Sequence, residues 1–122
     1  MNILIVAPFV TFPDEPGANR FVALAKMLSD KHQVTLVTSR FCHILKSQRN
    51  KVNNLETIIV VVLEEYGYQK NVGVQRVLSH HKFCENFKQF LLNQSTKFDV
   101  VYSAYPLIKT NNILGKYKYQ LD

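Results

Sequence analysis

The chain has 122 residues, 47% of them hydrophobic, and a formal net charge of +6 at neutral pH. These values suit one globular domain and exclude a disordered chain, and the longest apolar run, Ile58–Leu63, is too short to span a membrane. The N-terminus lacks the basic segment of a secretory signal. We therefore expect a cytoplasmic protein in which Cys42 and Cys84 are reduced and packed rather than disulfide-bonded.

The first 40 residues have the pattern of a strand, a helix and a second strand. The continuous apolar run Ile3–Ala7 predicts a strand that is buried on both faces, and Pro8 ends it. After a loop that contains two prolines and Gly17, apolar residues recur at helical spacing within Phe21–Leu28. The β-branched run Val34–Val37 predicts a strand parallel to the first, because the intervening chain is long enough for a crossover helix.

The remainder of the chain repeats this alternation less regularly. A short helix is predicted over Phe41–Gln48, followed by a third strand, Thr57–Leu63, that is β-branched and buried on both faces. A long helix is predicted over Val74–Gln94, then a fourth strand over Phe98–Ser103 and a last helix over Leu107–Lys118. The chain is thus predicted to be an α/β domain with a parallel sheet.

The long helix has a wide apolar arc. The side predicted to pack on the sheet comprises Val74, Val77, Leu78, Cys84, Phe87, Leu91 and Leu92. Phe83 and Phe90 extend the arc beyond an ordinary stripe, which indicates a second packing partner for this helix. The preceding stretch, Glu64–Tyr68, is predicted to be a polar turn.

Two blocks of the sequence resemble the amino-terminal domain of GT-B-fold glycosyltransferases, in particular the retaining family that builds bacterial capsular, exo- and lipopolysaccharides. The first block comprises the start Asn2–Val6, the Pro16-Gly17 turn before Asn19 and Arg20, the helix around Leu24–Lys26 and the strand Val34–Thr38. The second block is Phe98–Pro106, similar to that family's fourth strand and the turn after it. Between the blocks the resemblance is architectural only.

The resemblance implies a Rossmann-like, doubly wound parallel sheet with four strands in the order 3-2-1-4, an incomplete N-terminal half of a GT-B architecture. Residues 1–122 would then form the acceptor-side domain, with the nucleotide-sugar domain and the catalytic groups beyond Asp122. Such an enzyme moves a sugar from a nucleotide-sugar donor to a surface-polysaccharide acceptor without a cofactor, and this chain alone would be inactive. The alternatives are a sugar-nucleotide epimerase of the same fold and a non-catalytic binding or assembly domain.

Ligands of doubly wound sheets bind outside the carboxyl ends of the strands, where the winding direction switches, which here is the crevice between the first and fourth strands. In the first loop Gly17 permits close backbone approach and Arg20 adds a cation, so a phosphate fits there. The alternative is a tight turn that merely starts the helix. The resemblance assigns contacts with the donor diphosphate and sugar to Gly17, Ala18 and Arg20.

Acceptor binding is predicted at two other strand ends. Ser103 and Tyr105 follow the fourth strand and offer hydroxyls and an aromatic face to a sugar or a polyprenyl phosphate. Thr38, Ser39 and Arg40 end the second strand on the same rim. A purely structural role, the initiation of the next helix, explains the turn after Ser103 equally well.

A basic segment without an acid follows the second strand. Its cations and aromatic residue suggest a membrane patch made of Phe41, Lys46, Arg49 and Lys51, which would meet anionic lipid headgroups at the inner face of the plasma membrane. The alternative is a solvated connection. Nucleic acid is disfavoured because no recognition helix, RNP-type strand or zinc module is visible.

Other chemistries fit the sequence less well. A metal site would need His81, Cys84, Cys42 and His43 to be brought together with tetrahedral geometry, and no metal is predicted. The dinucleotide fingerprint, the Walker A loop and a Ser/His/Asp order are absent. The apolar residues Val100, Val101 and Tyr102 would lie on an open edge strand, which predicts that the chain associates as a homodimer.

Overall fold

The computed structural model describes residues 1–17, 20–50, 55–104 and 108–116. Within them the elements are β1 (Asn2–Val6), α1 (Arg20–Ser29), β2 (Gln33–Ser39), β3 (Phe41–Cys42), β4 (Ser47–Gln48), β5 (Ile58–Leu63), α2 (Val74–Asn93), β6 (Val100–Ser103) and α3 (Ile108–Lys116). Three of the predicted site residues, Ala18, Lys51 and Tyr105, lie outside the described residues, as do the predicted start and end of the last helix.

The main sheet contains four parallel strands in the order β5-β2-β1-β6. This confirms the predicted α/β class and the predicted 3-2-1-4 order, an arrangement typical of Rossmann-like folds. Val6 is in register with Val37 of β2 on one side and with Ser103 of β6 on the other. Because the strands are parallel, their four carboxyl ends meet along one side of the sheet, here called the carboxyl edge, and their amino ends meet along the amino edge.

Helices cover both faces of this sheet. Alternate residues of β1 point to opposite faces, so Ile3 and Ile5 enter one core whereas Leu4 and Val6 enter the other. On the first face α1 packs through Val22 and Ala25. The second core is filled from α2 and α3 by Phe83, Cys84, Phe87, Leu91 and Ile113. Both faces are therefore apolar, which explains the continuous hydrophobic runs of β1 and β2.

The short helix predicted over Phe41–Gln48 is wrong, because this segment forms an antiparallel hairpin of β3 and β4. Lys46, in the turn between the two strands, has a left-handed backbone with φ of 51°. Phe41 is buried, and the Gln48 side chain donates to the Glu65 carbonyl at 2.9 Å. Tertiary contacts thus override a weak helical pattern.

The burial of β5 also differs from the prediction. Ile58 is buried, but Ile59 is exposed and the residues after it are only partly covered. The reason is position, since β5 pairs only with β2 among the described strands and lies at the side of the sheet. The strand was predicted to be buried on both faces, and β-branched composition does not distinguish an outer strand from an inner one.

The packing face of α2 is likewise rotated from the predicted one. Val74, Val77, Leu78 and Leu92 are exposed, whereas Phe83 is fully buried and Phe90 packs against the core. The described sheet meets only the later part of the helix, so the first two turns project beyond it. Phe83 and Phe90 therefore need no second partner, and it is the start of α2 that is uncovered.

At the opposite side of the sheet, β6 pairs only with β1 among the described strands. Val100 and Tyr102 are about half exposed rather than interior, and the Tyr102 ring lies 6.3 Å from the Phe21 ring. The predicted homodimer is not addressed by these contacts and stays a prediction.

Candidate functional site

Six side chains from four separate segments meet at the carboxyl edge. We call them the basic-aromatic cluster, which comprises Phe9, His43, Lys46, Tyr68, Arg76 and His80. Phe9 follows β1, His43 and Lys46 lie in the hairpin turn, Tyr68 follows β5, and the last two belong to α2. The segments lie together because each of them follows the carboxyl end of a parallel strand, β1, β2 or β5, at the same edge of the sheet.

Tyr68 is the centre of the cluster. Its hydroxyl lies 2.5 Å from His43 Nδ1, and its ring makes an edge contact with His80 at 5.5 Å between centroids. Two cations lie over the ring, with Lys46 Nζ 4.7 Å and Arg76 Cζ 5.8 Å from the centroid. Burial raises the pKa of the Tyr68 hydroxyl, so the group stays neutral and acts as a hydrogen-bonding phenol.

Both histidines of the cluster are held neutral. Burial, followed by the charges of Lys46 and Arg76, lowers the pKa of His43 below 6.5. Lys46 Nζ lies 3.4 Å from His43 Nδ1, and since an ammonium only donates, Nδ1 accepts and the ring proton is on Nε2. Burial, followed by the same Arg76 charge, lowers the pKa of His80 to about 4.

Lys46 and Arg76 concentrate positive charge without a described carboxylate partner. The salt bridges of the described residues involve other cations, and both side chains instead donate to Asn71, Lys46 to its side-chain oxygen and Arg76 to its carbonyl. Burial and the neighbouring Arg76 charge lower the pKa of Lys46. This electrostatic arrangement favours an anion at the carboxyl edge.

Arg49 joins the neighbouring loops through a buried ion pair. Its Nε and Nη2 donate to the two carboxylate oxygens of Glu15 at 2.7 and 2.9 Å, and both side chains are largely buried, with relative exposures of 4% and 11%. The guanidinium also donates to the carbonyls of Ser39 at 2.5 Å and Val10 at 2.7 Å. Arg49 thereby links the loop after β1 to the end of β2.

The Glu15 carboxylate is stabilised as an anion. Burial by itself would raise its pKa, but the Arg49 hydrogen bonds, the Phe12 backbone N–H at 3.0 Å and the Arg49 charge together lower the pKa below 4.5. The planar guanidinium also lies 4.9 Å from the Phe12 ring centroid. The predicted loop after β1 is thus fixed by a two-point, charge-assisted contact.

A second buried carboxylate, Glu65, lies at the end of β5. It accepts hydrogen bonds from the hydroxyls of Ser39 and Ser79. Burial raises its pKa, and the two hydroxyls and the Arg49 charge offset this only in part. Glu64–Tyr68 was predicted to be a polar turn after the third strand; it does follow β5 outside helix and strand, but Glu65 and Tyr68 within it are almost fully buried.

Two of the predicted donor-binding residues, Gly17 and Arg20, lie in the loop after β1 and at the start of α1. Gly17 has φ of +114°, and an added Cβ would come within 2.7 Å of the Ile44 side chain, so a tight loop already requires glycine there. Arg20 is exposed at the start of α1, and its guanidinium lies 4.8 Å from the Phe21 ring centroid. The nearest side chains to Gly17 are Ile44 of the hairpin and Thr11, so the position of Gly17 and Arg20 at the crevice between β1 and β6 stays a prediction.

The predicted acceptor residues are not all accessible. Thr38 and Ser39 end β2 as predicted, but both are fully buried because the hairpin follows directly on this end of the strand, so neither is exposed to an acceptor. Arg40 is partly exposed and pairs with Glu64 at 2.8 Å. Ser103 is partly exposed and donates to Asn111 Oδ1 at 2.6 Å. Ser103 and Arg40 remain available to a ligand.

The predicted membrane patch is not one surface. Phe41 and Arg49 are buried, since the hairpin folds them against Tyr68 and Glu15, and they cannot meet lipid. Lys46 is partly exposed and belongs to the basic-aromatic cluster.

The sequence pattern did not indicate Glu65, Arg76 and His80 as site residues, because their contacts join segments far apart in the chain.

No protein-family model and no curated protein sequence matches the chain. Across the part of the chain that the structure describes, no three His, Cys, Asp or Glu side chains come together in a way that would hold a metal ion. None of the described helices is long and apolar enough to cross a bilayer.

Proposed function

We propose that this chain is the amino-terminal, acceptor-side domain of a retaining glycosyltransferase of GT-B architecture. It would act with a second, nucleotide-sugar-binding domain to move a sugar onto a surface-polysaccharide acceptor. The observation that carries the proposal is the strand order β5-β2-β1-β6. In this order the winding direction switches between β1 and β6, and the Pro16-Gly17 loop, one of the segments on which the sequence resemblance rests, follows β1 in the chain.

The charges at the carboxyl edge support the same proposal. Transfer from a nucleotide sugar develops negative charge on the leaving diphosphate, and preorganised cations and backbone amides stabilise such charge. Arg20 at the start of α1 would contribute a cation on the donor side. The acceptor hydroxyl would be oriented by groups such as Ser103 and Arg40, which remain accessible at the ends of β6 and β2.

The proposal is tested by titrating the isolated chain with UDP- and GDP-sugars and following backbone amide NMR shifts. We expect weak, millimolar binding and no transferase activity, because the proposed cleft has only one of its two walls. The shifts should cluster around Gly17, Arg20 and Ser103. Arg20→Gln should weaken binding by about tenfold, equivalent to ~1.4 kcal/mol, and Lys31→Gln, an exposed substitution at the amino edge, should not.

Two results would contradict this assignment. Micromolar binding by the isolated chain would mean that the site is complete without a second domain, as in a sugar-nucleotide epimerase. Shifts confined to the amino edge, or none at 10 mM ligand with an expected Kd of ~1 mM, would leave a non-catalytic binding or assembly domain as the better interpretation.

A further inference from the structure

The outer strand β5 has a free edge that is entirely apolar. Among the described strands it pairs only with β2, and its residues Ile58–Leu63 are all isoleucine, valine or leucine. Ile59 is 49% exposed. Natural sheets protect an outer strand with lysine, with proline or with a bulge, and β5 contains neither lysine nor proline. This edge is therefore suited to pairing with another strand.

The backbone groups available at this edge are those of Val60 and Val62. The Leu63 carbonyl accepts from the Arg40 N–H at 2.9 Å, so it points toward β2. Backbone groups of successive residues point to opposite sides of a strand, so those of Val61 also face β2, whereas those of Val60 and Val62 face outward. A partner strand would satisfy these outward donors and acceptors.

A depression lies beside the free edge, between β5 and the second half of α2. It has a volume of about 410 Å³ and is lined by apolar and amide side chains, among them Leu63, Phe90, Asn86, Gln89 and Asn93. The one charged side chain in its described lining, Glu64, is paired with Arg40 at 2.8 Å. Two copies of the chain, each with a net charge of +6, can therefore meet at this lining without bringing cations together.

We propose that a second copy of the chain pairs with this edge, so that two β5 strands run antiparallel about a twofold axis at Val61. Val60 of each copy then lies opposite Val62 of the other, and the two residues exchange both N–H···O bonds. On the α2 side of the sheet Val61 meets Val61 of the second copy. The exposed Ile59 lies beside Leu63 of the second copy and enters the depression there.

Side-chain direction and charge select this register. A twofold axis perpendicular to the sheet keeps the same face of both copies together, and opposite residues of an antiparallel pair point to one face, so the axis passes through a residue. Axes at Val60 and Val61 pair most of the strand. An axis at Val60 would place Glu64 directly opposite Glu56 of the second copy, and like charges in that position are destabilising. An axis at Val61 places Glu64 opposite Ile58 instead.

The other outer strand, β6, is less suited to this pairing, although association was predicted there. It has four residues, against six in β5, and therefore fewer backbone groups to share. Its Tyr102 ring already lies 6.3 Å from the Phe21 ring of the same chain. The pairing of β5 does not depend on the transferase proposal, so absence of nucleotide-sugar binding would leave it unchanged.

The first test is sedimentation velocity of the wild type at ~100 μM, a concentration that populates a micromolar dimer. Ile59→Lys replaces an apolar side chain of the interface by a charge, so it should raise the dimer dissociation constant about tenfold or more. Val100→Lys is the matched change on β6, where the valine is 44% exposed, and should leave the dissociation constant unchanged. Circular dichroism should show the wild-type fold for both variants, because both positions are exposed.

Cysteine cross-linking tests the register. The two Val61 residues would form a non-hydrogen-bonded pair with Cα atoms ~4.5 Å apart, which a disulfide can span. Val61→Cys should therefore give a covalent dimer under mild oxidation. Val60→Cys should not, because Val60 faces Val62 of the second copy rather than itself. The wild type is a further control, since Cys42 and Cys84 are buried.

Three results would overturn the proposal. A wild type that is monomeric at ~100 μM, a concentration above a micromolar dissociation constant, would mean that something other than a second copy covers β5. Dissociation by Val100→Lys but not by Ile59→Lys would place the interface at β6. A covalent dimer of Val60→Cys in place of Val61→Cys would show that the two strands pair in another register.

Discussion

Polar groups are exposed at the amino edge of the sheet and buried at its carboxyl edge. At the amino edge the polar contacts are exposed, as in the Asn2 N–H bond to Asp99 at 2.7 Å and the Ser29 to Thr57 hydroxyl contact at 2.7 Å. At the carboxyl edge charged groups are buried, and Arg49 and Glu65 have little contact with solvent. The same four strands thus end in a solvated side and in a side with a buried polar network.

This difference has an energetic consequence. A buried charge loses its hydration, so it persists only when hydrogen bonds and an opposite charge replace the water. Arg49 and Glu65 have such partners, and the loops that supply them are therefore held in fixed conformations. Fixed loops at the carboxyl edge are what a preorganised ligand site needs, whereas the amino edge has only to end the strands.

The largest expected effect is from removing Arg49. Arg49→Ala should lower the free energy of unfolding by about 3–5 kcal/mol, because it leaves the Glu15 carboxylate and two carbonyls without their buried donor. Urea denaturation of the wild type and the variant measures the difference. Arg49→Lys should recover only part of it, since one ammonium cannot replace the forked contacts.

The amino edge provides the control for this measurement. Asp99→Ala removes an exposed carboxylate that accepts from the Asn2 backbone, and we expect a loss below ~1 kcal/mol. Similar losses for Asp99→Ala and Arg49→Ala would remove the distinction between the two edges.

Gly67 gives the next largest effect at the carboxyl edge. Its φ is +84°, and an added Cβ would lie 2.8 Å from two atoms of the Phe41 ring. Phe41 is buried beside Tyr68 and cannot move freely, so Gly67→Ala should lower stability by about 1–3 kcal/mol. Thermal or urea unfolding checks this.

Gly115 is the matched glycine outside that edge. It lies within α3 with ordinary backbone geometry and with open space around a new Cβ. Gly115→Ala should be neutral or raise stability by up to ~1 kcal/mol, because alanine favours the helix. A destabilisation equal to that of Gly67→Ala would show that the crowding at Gly67 is not the cause.

The raised pKa of Glu65 predicts a smaller, pH-dependent effect. The folded state binds this proton more tightly than the unfolded state, so the contribution of Glu65 to stability is greatest below 4.5 and falls as pH rises toward the raised folded pKa. Glu65→Gln should remove that fall. The difference in unfolding free energy between the wild type and the variant, measured at several pH values, should therefore change with pH between 4.5 and the raised pKa of folded Glu65. Above that pKa the difference should be constant.

The lowered pKa of His80 predicts that stability is lost as the pH falls, whereas the raised pKa of Glu65 predicts a loss as the pH rises. The pKa of His80 is lowered from 6.5 to about 4 by burial and by the Arg76 charge, so its contribution is complete above 6.5 and is lost as pH falls toward 4. His80→Gln should flatten this part of the pH profile. An NMR titration that places the His80 pKa above 6.5 would contradict the assignment.

The sequence by itself determined the elements of the main sheet, whereas their order was implied by the family resemblance. Continuous apolar runs at β1 and β2 require cover on both faces, and a crossover helix between them makes the strands parallel. These are local and period-based signals, so they can be read without knowing the neighbours. The prediction that Gly17 and Arg20 lie beside the crevice rests on the same topology.

Only the tertiary structure decided which side chains are covered. Phe41, Arg49 and Glu65 lie in segments with polar or basic composition, yet each is buried by residues distant in sequence. Val74 and Val77 have a helical apolar pattern, yet the sheet does not extend far enough to cover them. Burial depends on contacts between distant segments, whereas a sequence pattern reports only the neighbours along one element. This is why the strands and helices of the main sheet were predicted correctly while the site was only partly found.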